Sequence, residues 1–107
     1  MTMDFIKKTL ESAGPNGVVL FSKSYCPFCK RAKAALRDIG VSPVIVELDE
    51  RVTDGREIQV ALFQSTGQRT VPSVWLNGQF IGGSDDVIAG IESGVFKQQN
   101  PAPLAVQ

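Results

Sequence analysis

Histidine is absent from this 107-residue chain, and cysteine occurs only twice. Without imidazole groups the chain has no histidine general base and no cysteine–histidine catalytic pair. A charge excess of either sign is also missing, because 11 basic and 11 acidic side chains give a formal net charge of zero. Nucleic acids and anionic membrane surfaces, which attract strongly basic proteins, are therefore not predicted partners.

Long apolar runs are missing as well. No segment approaches the roughly 18 to 20 apolar residues that a membrane-spanning helix requires. The first residues, Met1-Thr2-Met3-Asp4, do not have the pattern of a signal or transit peptide. We therefore expect no membrane association and a cytoplasmic location; an organellar location stays open if a transit peptide has been removed. The length suits one domain over residues 1–107, with a flexible tail from about residue 97.

Hydrophobic periodicity and turn residues predict alternating helices and strands. The predicted helices are residues 3–12, residues 27–39, a segment ending near Gly67, and a segment running from the cap residue Ser84 to Gly94. The predicted strands are residues 18–22, residues 44–48, and the two arms of a hairpin, 74–76 and 79–81, around Asn77-Gly78. The first strand, helix and second strand form a right-handed βαβ unit, so two parallel, buried strands are expected.

Both cysteines lie in one motif, Cys26-Pro27-Phe28-Cys29, between the strand 18–22 and the helix that follows. At that position the unpaired N–H groups and the positive dipole end of the helix favour a thiolate. A C-x-x-C motif beside a βαβ pattern is typical of a thioredoxin-like redox centre. We therefore predict a reactive dithiol. The alternatives are a disulfide of little stabilising value, a zinc site dependent on carboxylates, and a binding module with an incidental dithiol.

Two further segments carry a resemblance to a known family. Thr70-Val71-Pro72 lies just before the predicted hairpin, and Gly82-Gly83-Ser84-Asp85-Asp86 lies just after it. Together with the cysteine motif, these segments resemble glutaredoxins over roughly residues 3–96. The resemblance implies an α/β thioredoxin-like fold, with a central four-stranded mixed sheet flanked by about four to five helices. It also implies a cis peptide bond before Pro72, which presents the backbone of Val71 beside the cysteines.

The resemblance implies an activity. Glutaredoxins are glutathione-dependent thiol–disulfide oxidoreductases, which here would reduce protein–glutathione mixed disulfides and some protein disulfides. Cys26 is expected to be the nucleophile and Cys29 the resolving thiol. Phe28, where the family usually has tyrosine, would flank bound glutathione without a hydroxyl. Lys30 and Arg31 either add positive potential near the thiolate or are ordinary exposed helix residues. The partners would be glutathione, as a co-substrate, and glutathionylated or disulfide-bonded proteins; we expect a monomer without a tightly bound cofactor.

The resemblance also implies a groove for glutathione, whose two carboxylates, ammonium group and thiol require charged ends and backbone pairing between them. Lys23 and Gln59 are expected to hold the glycine carboxylate. The backbone of Val71 would pair with the cysteinyl residue. Asp85 and Asp86, at a helix start, are expected to hold the γ-glutamyl end.

Some glutaredoxins instead bind a [2Fe–2S] cluster between two subunits, through the first cysteine of each and two glutathiones. Such members typically have glycine or serine after that cysteine, whereas Pro27 stiffens the turn here. A dimeric cluster carrier or sensor is therefore the alternative function.

Overall fold

The computed structural model describes residues 2–96. In chain order the elements are α1 (Thr2–Ser12), β1 (Val18–Ser22), α2 (Pro27–Asp38), β2 (Val44–Glu47), a 3-10 turn (Leu48–Glu50), α3 (Gly55–Thr66), β3 (Ser73–Leu76), β4 (Gln79–Gly82) and α4 (Ser84–Ser93). Within residues 2–96, no helix is long and apolar enough to cross a membrane. The tail predicted from about residue 97 lies outside the described residues.

The strands form one four-stranded sheet in the order β2-β1-β3-β4. β1 pairs with β2 in parallel and with β3 antiparallel, and β3 pairs antiparallel with β4. The predicted thioredoxin-like mixed sheet is therefore confirmed. The hairpin closes at Asn77 and Gly78, whose φ angles are 52° and 78°. Two-residue hairpin turns of this kind need positive φ at both positions, which is why asparagine followed by glycine favours them.

Side chains of the central strand β1 alternate between two cores. Val19 and Phe21 face a cluster that includes Ile6 of α1 and Ile58 of α3. The intervening side chains face the opposite cluster, which is built largely from α2 and α4 and includes Leu20, Ala32, Leu36 and Val87. Because both faces of β1 are covered by helices, it reads as a continuous apolar run. The cysteine motif therefore begins at the carboxyl end of a strand that is packed on both faces.

The prediction that the second strand is buried was wrong for its first half. Val44 and Ile45 are 37% and 42% exposed, and only Val46 is buried. β2 is an edge strand and ends at Glu47, since Leu48 already belongs to the 3-10 turn. A β-branched apolar run indicates a strand, but strand order alone decides whether that strand lies at the edge.

The cap of the last helix is also shifted by one residue. Gly83, rather than the predicted Ser84, precedes the helix, and Ser84 is its first residue. The Ser84 hydroxyl is buried and has no hydrogen-bond partner among residues 2–96. Asp86 reaches back instead, because its Oδ2 atom accepts a hydrogen bond from the Gly83 N–H at 3.0 Å. A carboxylate at this position satisfies a backbone donor that the helix leaves unpaired.

Candidate active site

The cysteine motif forms the junction between β1 and α2. β1 ends at Ser22, and Cys26 is the N-cap residue of α2, with extended backbone angles. Pro27 occupies the start of the helix, where its missing N–H has no intrahelical partner to lose. The Lys30 N–H donates to the Cys26 carbonyl oxygen at 3.1 Å, which closes the first turn. The Cys26 thiol therefore lies at the positive end of the helix.

The two thiols are close together but differ in access. Both cysteines are free, and they come within 3.3 Å of each other. Cys26 is half-buried, whereas Cys29, one turn into α2, is fully buried. The pair can therefore exchange a disulfide internally, while only the first sulfur is open to a substrate.

The surroundings displace the two thiol pKa values in opposite directions. Desolvation works to raise the pKa of Cys26, but hydrogen bonds from Cys29 and from the Phe28 backbone, with the charge of Lys23, lower that pKa overall. The pKa of Cys29 is raised, chiefly by burial, although the Lys23 backbone and the Ser22 hydroxyl oppose the shift. Ser22 was missed by the sequence analysis, because nothing in the sequence shows that a strand-end hydroxyl faces the second cysteine.

We expect alkylation to report this asymmetry. In the reduced protein, iodoacetamide should modify Cys26 with a pH midpoint below the ordinary thiol value of about 8.5, and Cys29 with a midpoint above it. Mass spectrometry of samples quenched between pH 4 and 10 measures both rates. In Cys29→Ala the Cys26 midpoint should rise, because the side-chain hydrogen bond from position 29 is lost. Equal midpoints for the two thiols would contradict the assignment.

The segment before β3 lies against the first cysteine. The Val71-Pro72 peptide bond is cis, as the resemblance implies, and the Val71 carbonyl oxygen is 3.9 Å from the Cys26 sulfur. Gln68 braces this segment, since its Nε2 atom donates to the carbonyl oxygens of Thr70 at 2.8 Å and Pro72 at 2.9 Å. Gln68 was not predicted, because a glutamine in a polar loop carries no sequence signal for such bracing.

A second set of hydrogen bonds holds the loop that precedes Cys26. Asp49, in the 3-10 turn after β2, accepts hydrogen bonds from the Ser24 backbone N–H at 2.9 Å and from the Ser24 hydroxyl at 2.5 Å. These bonds from Ser24 lower the pKa of Asp49. The contact spans 25 positions of the chain, so only the parallel pairing of β1 and β2 brings the two residues together.

Substituting Asp49 should lower the thermal stability of the protein at neutral pH but not in acid. Because the folded-state pKa of Asp49 is lowered, its contribution is present above the ordinary value of about 3.9 and is lost as the pH falls through the folded-state pKa. We expect Asp49→Asn to lower the thermal midpoint by a few degrees at pH 7. The difference from the unmodified protein should shrink as the pH falls below the ordinary value of about 3.9. Thermal unfolding across this pH range measures the effect, with Asp38→Asn, an exposed acid at the end of α2, as the control. An unchanged difference in acid would rule out this contribution of the carboxylate.

The residues predicted for the glycine carboxylate lie on two different elements. Lys23 follows β1 and is half-buried. Gln59 lies on α3, and its Nε2 atom donates to the Arg69 carbonyl oxygen at 3.0 Å. The Arg69 guanidinium group stacks over the Phe63 ring at 4.3 Å. Gln59, Phe63 and Arg69 contribute to the lining of a recess of about 210 Å³. Arg69 is thus a cation that the sequence analysis missed.

The two acids predicted for the γ-glutamyl end take different positions. Asp86 holds the Gly83 N–H, as described above. The Asp85 side chain is 91% exposed, and its Oδ1 atom is 3.1 Å from Nη1 of Arg31 on α2. The start of α4 lies against the cis-proline segment, because a Cβ atom placed on Gly83 would be 3.7 Å from the Pro72 carbonyl oxygen. Cys26, Val71 and the first turn of α4 therefore follow one another across the surface.

Two exposed aromatic rings flank the nucleophile candidate in sequence. Phe28 is 60% exposed and Tyr25 is 66% exposed. Only Phe28 was predicted to contribute to the site. Trp75 and Phe80, by contrast, form a tilted ring pair across the hairpin, with centroids 5.5 Å apart. Both rings are half-buried.

Comparison with known proteins agrees with this architecture. The glutaredoxin family model matches residues 18–81. The chain is 53% identical over 91 residues to Glutaredoxin-C4 of Arabidopsis thaliana, which covers 85% of this chain and 64% of that relative. It is 45% identical over 91 residues to Glutaredoxin-1 of Rhizophagus irregularis, which covers 85% of this chain and 86% of the relative. The chain thus spans somewhat less than two thirds of the length of the Arabidopsis protein.

Solved structures give the same result. The structure is similar to that of a buckwheat glutaredoxin–glutathione complex, with a TM-score of 0.84, 39% identity, and coverage of 92% of this chain and 86% of that one. It is also similar to a dithiolic glutaredoxin of Trypanosoma brucei brucei, with a TM-score of 0.76, 29% identity, and coverage of 87% and 92%. On its family match, its identity to relatives and its fold, this chain belongs to the glutaredoxin family.

Proposed function

We propose that this protein is a glutathione-dependent thiol–disulfide oxidoreductase that reduces protein–glutathione mixed disulfides and some protein disulfides. The observation that carries the proposal is that Cys26 and Cys29 come within 3.3 Å of each other but differ in exposure and in thiol pKa. Cys26 is accessible with a lowered pKa, and Cys29 is buried with a raised pKa. An attacking thiol must be ionised and reachable, whereas a resolving thiol needs only to reach the first sulfur.

The proposed reaction begins at the Cys26 thiolate. It attacks the glutathione sulfur of a mixed disulfide, so that a Cys26–glutathione disulfide forms and the substrate protein leaves as a thiolate that takes up a proton. The thiolate of a second glutathione then attacks the glutathione sulfur bound to Cys26. Glutathione disulfide leaves, and the Cys26 thiolate is restored. This route does not use Cys29.

Cys29 acts when Cys26 is joined to a substrate protein. Its thiolate attacks the Cys26 sulfur, the Cys26–Cys29 disulfide forms, and the substrate thiolate is released. Two glutathiones then reduce the internal disulfide and leave as glutathione disulfide. Because burial raises the pKa of Cys29, its thiolate is scarce near neutral pH. Proximity compensates, since an intramolecular attack over a short distance is strongly favoured.

Glutathione would bind along the surface from Gln59 to the start of α4. The glycine carboxylate would lie near Lys23 and Gln59, where Arg69 adds a second cation, and the cysteinyl residue would pair with the Val71 backbone. Asp85 would receive the γ-glutamyl ammonium group. The buckwheat relative was solved as a glutathione complex, which supports glutathione as the ligand. The Phe28 ring would flank the ligand by apolar contact alone.

A coupled assay tests the proposed function. Glutathione, glutathione reductase and NADPH are supplied with the mixed disulfide of glutathione and 2-mercaptoethanol, and NADPH oxidation is followed at 340 nm. We expect oxidation that depends on the protein. No oxidation above the rate without protein would overturn the proposal. Replacing glutathione and its reductase by thioredoxin reductase separates the two dithiol classes, and we expect no turnover there.

The cluster-binding alternative and the expected monomer are tested together. Protein purified without oxygen is passed over a sizing column while its visible absorption is recorded. We expect a monomer without visible absorption. A dimer that absorbs in the visible range would favour the [2Fe–2S] alternative.

We also propose the cytoplasmic location, which microscopy of a fluorescent fusion of the full-length protein would test.

A further inference from the structure

We infer that Arg31 determines specificity at the γ-glutamyl end of the glutathione site. In the free protein Arg31 pairs with Asp85. When glutathione binds, its α-ammonium group takes the place of the guanidinium group on Asp85, and Arg31 contacts the α-carboxylate of the same γ-glutamyl unit. The inference rests on the proposed function and identifies the residue that recognises the α-carboxylate of the substrate.

The ion pair bridges two helices at the edge of the candidate site. Nη1 of Arg31, on α2, is 3.1 Å from Oδ1 of Asp85, the second residue of α4. The two side chains are 51% and 91% exposed. An exposed pair of this kind is weak, because water and salt screen it. A ligand charge can therefore replace one partner at small cost.

The position of the pair matches the far end of an extended ligand. A glutathione whose sulfur meets Cys26 and whose backbone follows Val71 reaches the segment beside Pro72. Gly83 packs against that segment, so the next residues along the ligand meet the first turn of α4. Asp86 is occupied there by the Gly83 N–H. Asp85 is consequently the acid that remains for the ammonium group.

The charges explain why an arginine is needed beside this acid. The α-carbon of the γ-glutamyl unit carries one ammonium group and one carboxylate, a short distance apart. Asp85 alone would attract the first and repel the second. Arg31 supplies the opposite charge next to Asp85, and the N–H groups at the start of α4 add further donors for the carboxylate. Together the two side chains form a complement to a zwitterion.

The test uses two glutathione analogues that each lack one charge. Glutathione, 4-aminobutyryl-cysteinylglycine, which lacks the α-carboxylate, and glutaryl-cysteinylglycine, which lacks the α-ammonium group, are each supplied as mixed disulfides with 2-mercaptoethanol. The second-order rate constant for transfer of the peptide to Cys26 is measured by acid quenching and mass spectrometry. Arg31→Gln is compared with the unmodified protein and with Arg37→Gln, which removes the same charge from the far end of α2.

We expect Arg31→Gln to slow transfer about three- to tenfold for glutathione and for the glutaryl peptide, since both present the carboxylate. Transfer from the 4-aminobutyryl peptide should change less than about twofold. Arg31→Lys, which keeps the charge, should restore much of the glutathione rate, and Arg37→Gln should leave all three rates unchanged.

Two outcomes would separate failure of the inference from failure of the proposed function. If the unmodified protein does not take up glutathione from its mixed disulfide, the proposed function fails. If it does, but Arg31→Gln alters all three peptides by one factor or none of them, the inference about Arg31 is overturned. Thermal unfolding of each variant identifies a loss of folding, and Arg31→Lys then provides the comparison.

Discussion

We expect Cys26→Ser to lose glutathione-dependent disulfide reduction by at least about a thousandfold, because a serine hydroxyl is not ionised near neutral pH and cannot exchange disulfides. Cys29→Ser should behave differently. The mixed-disulfide route needs only Cys26, whose position as N-cap of α2 and whose contacts with the Phe28 backbone and Lys23 remain. We expect this variant to keep protein–glutathione mixed-disulfide reduction within about tenfold of the unmodified protein.

The two variants should also differ in the substrates that they reduce. Cys29→Ser should be slower on an intramolecular protein disulfide, because the mixed disulfide formed at Cys26 has no internal thiol to resolve it. Initial rates in the coupled assay with both substrate types measure this difference. The thermal midpoint of each variant controls for folding, since Cys29 is buried in the first turns of α2. Equal loss in both variants on the glutathione mixed disulfide would contradict the assigned roles.

Gly55→Ala should destabilise the fold by at least about 2 kcal/mol. A Cβ atom on Gly55 would be 2.1 Å from the Leu48 carbonyl oxygen and 3.1 Å from its carbon. Both atoms belong to the backbone and cannot rotate away. Leu48 O also accepts the Arg51 N–H at 3.2 Å, and the Gly55 N–H donates to Arg51 O at 2.8 Å, so the connection between the 3-10 turn and α3 would have to open.

Urea unfolding at pH 7 measures this loss. Gly83→Ala is the matched control, since its Cβ atom would meet no heavy atom closer than 3.5 Å and its φ is −97°. We expect the control to stay within about 1 kcal/mol of the unmodified protein. A loss in Gly55→Ala no larger than in the control would show that the turn adjusts without cost.

Local signals in the sequence located most helices and strands closely. Asn77-Gly78 predicted the hairpin because few other residue pairs tolerate positive φ at both positions. Pro27 predicted the start of α2 because a proline loses no hydrogen bond there. The edge position of β2 could not be predicted in this way. Its composition is that of a buried strand, and its exposure follows only from which strands pair with β1.

The candidate site likewise has features that the sequence predicted and features that it could not predict. The thiol pair and its helix-start position were visible in the sequence, because a motif of four adjacent residues is local chemistry. The bracing of the cis-proline segment by Gln68 and of the nucleophile loop by Asp49 was not visible, because polar loop residues show no preference for distant partners. Nor did the sequence separate Asp85 from Asp86, since adjacent acids at a helix start look alike until one of them turns back to the Gly83 N–H.

By itself, the sequence determined that this chain carries two cysteines at a strand-to-helix junction within an α/β fold. Those properties depend on hydrophobic spacing, turn residues and dipoles, which act over a few residues. Only the tertiary structure decided that the Val71 carbonyl oxygen lies 3.9 Å from the Cys26 sulfur and that Arg31 meets Asp85. These depend on contacts between residues 45 and 54 positions apart, and only the packing of the helices and loops against the sheet brings such residues together.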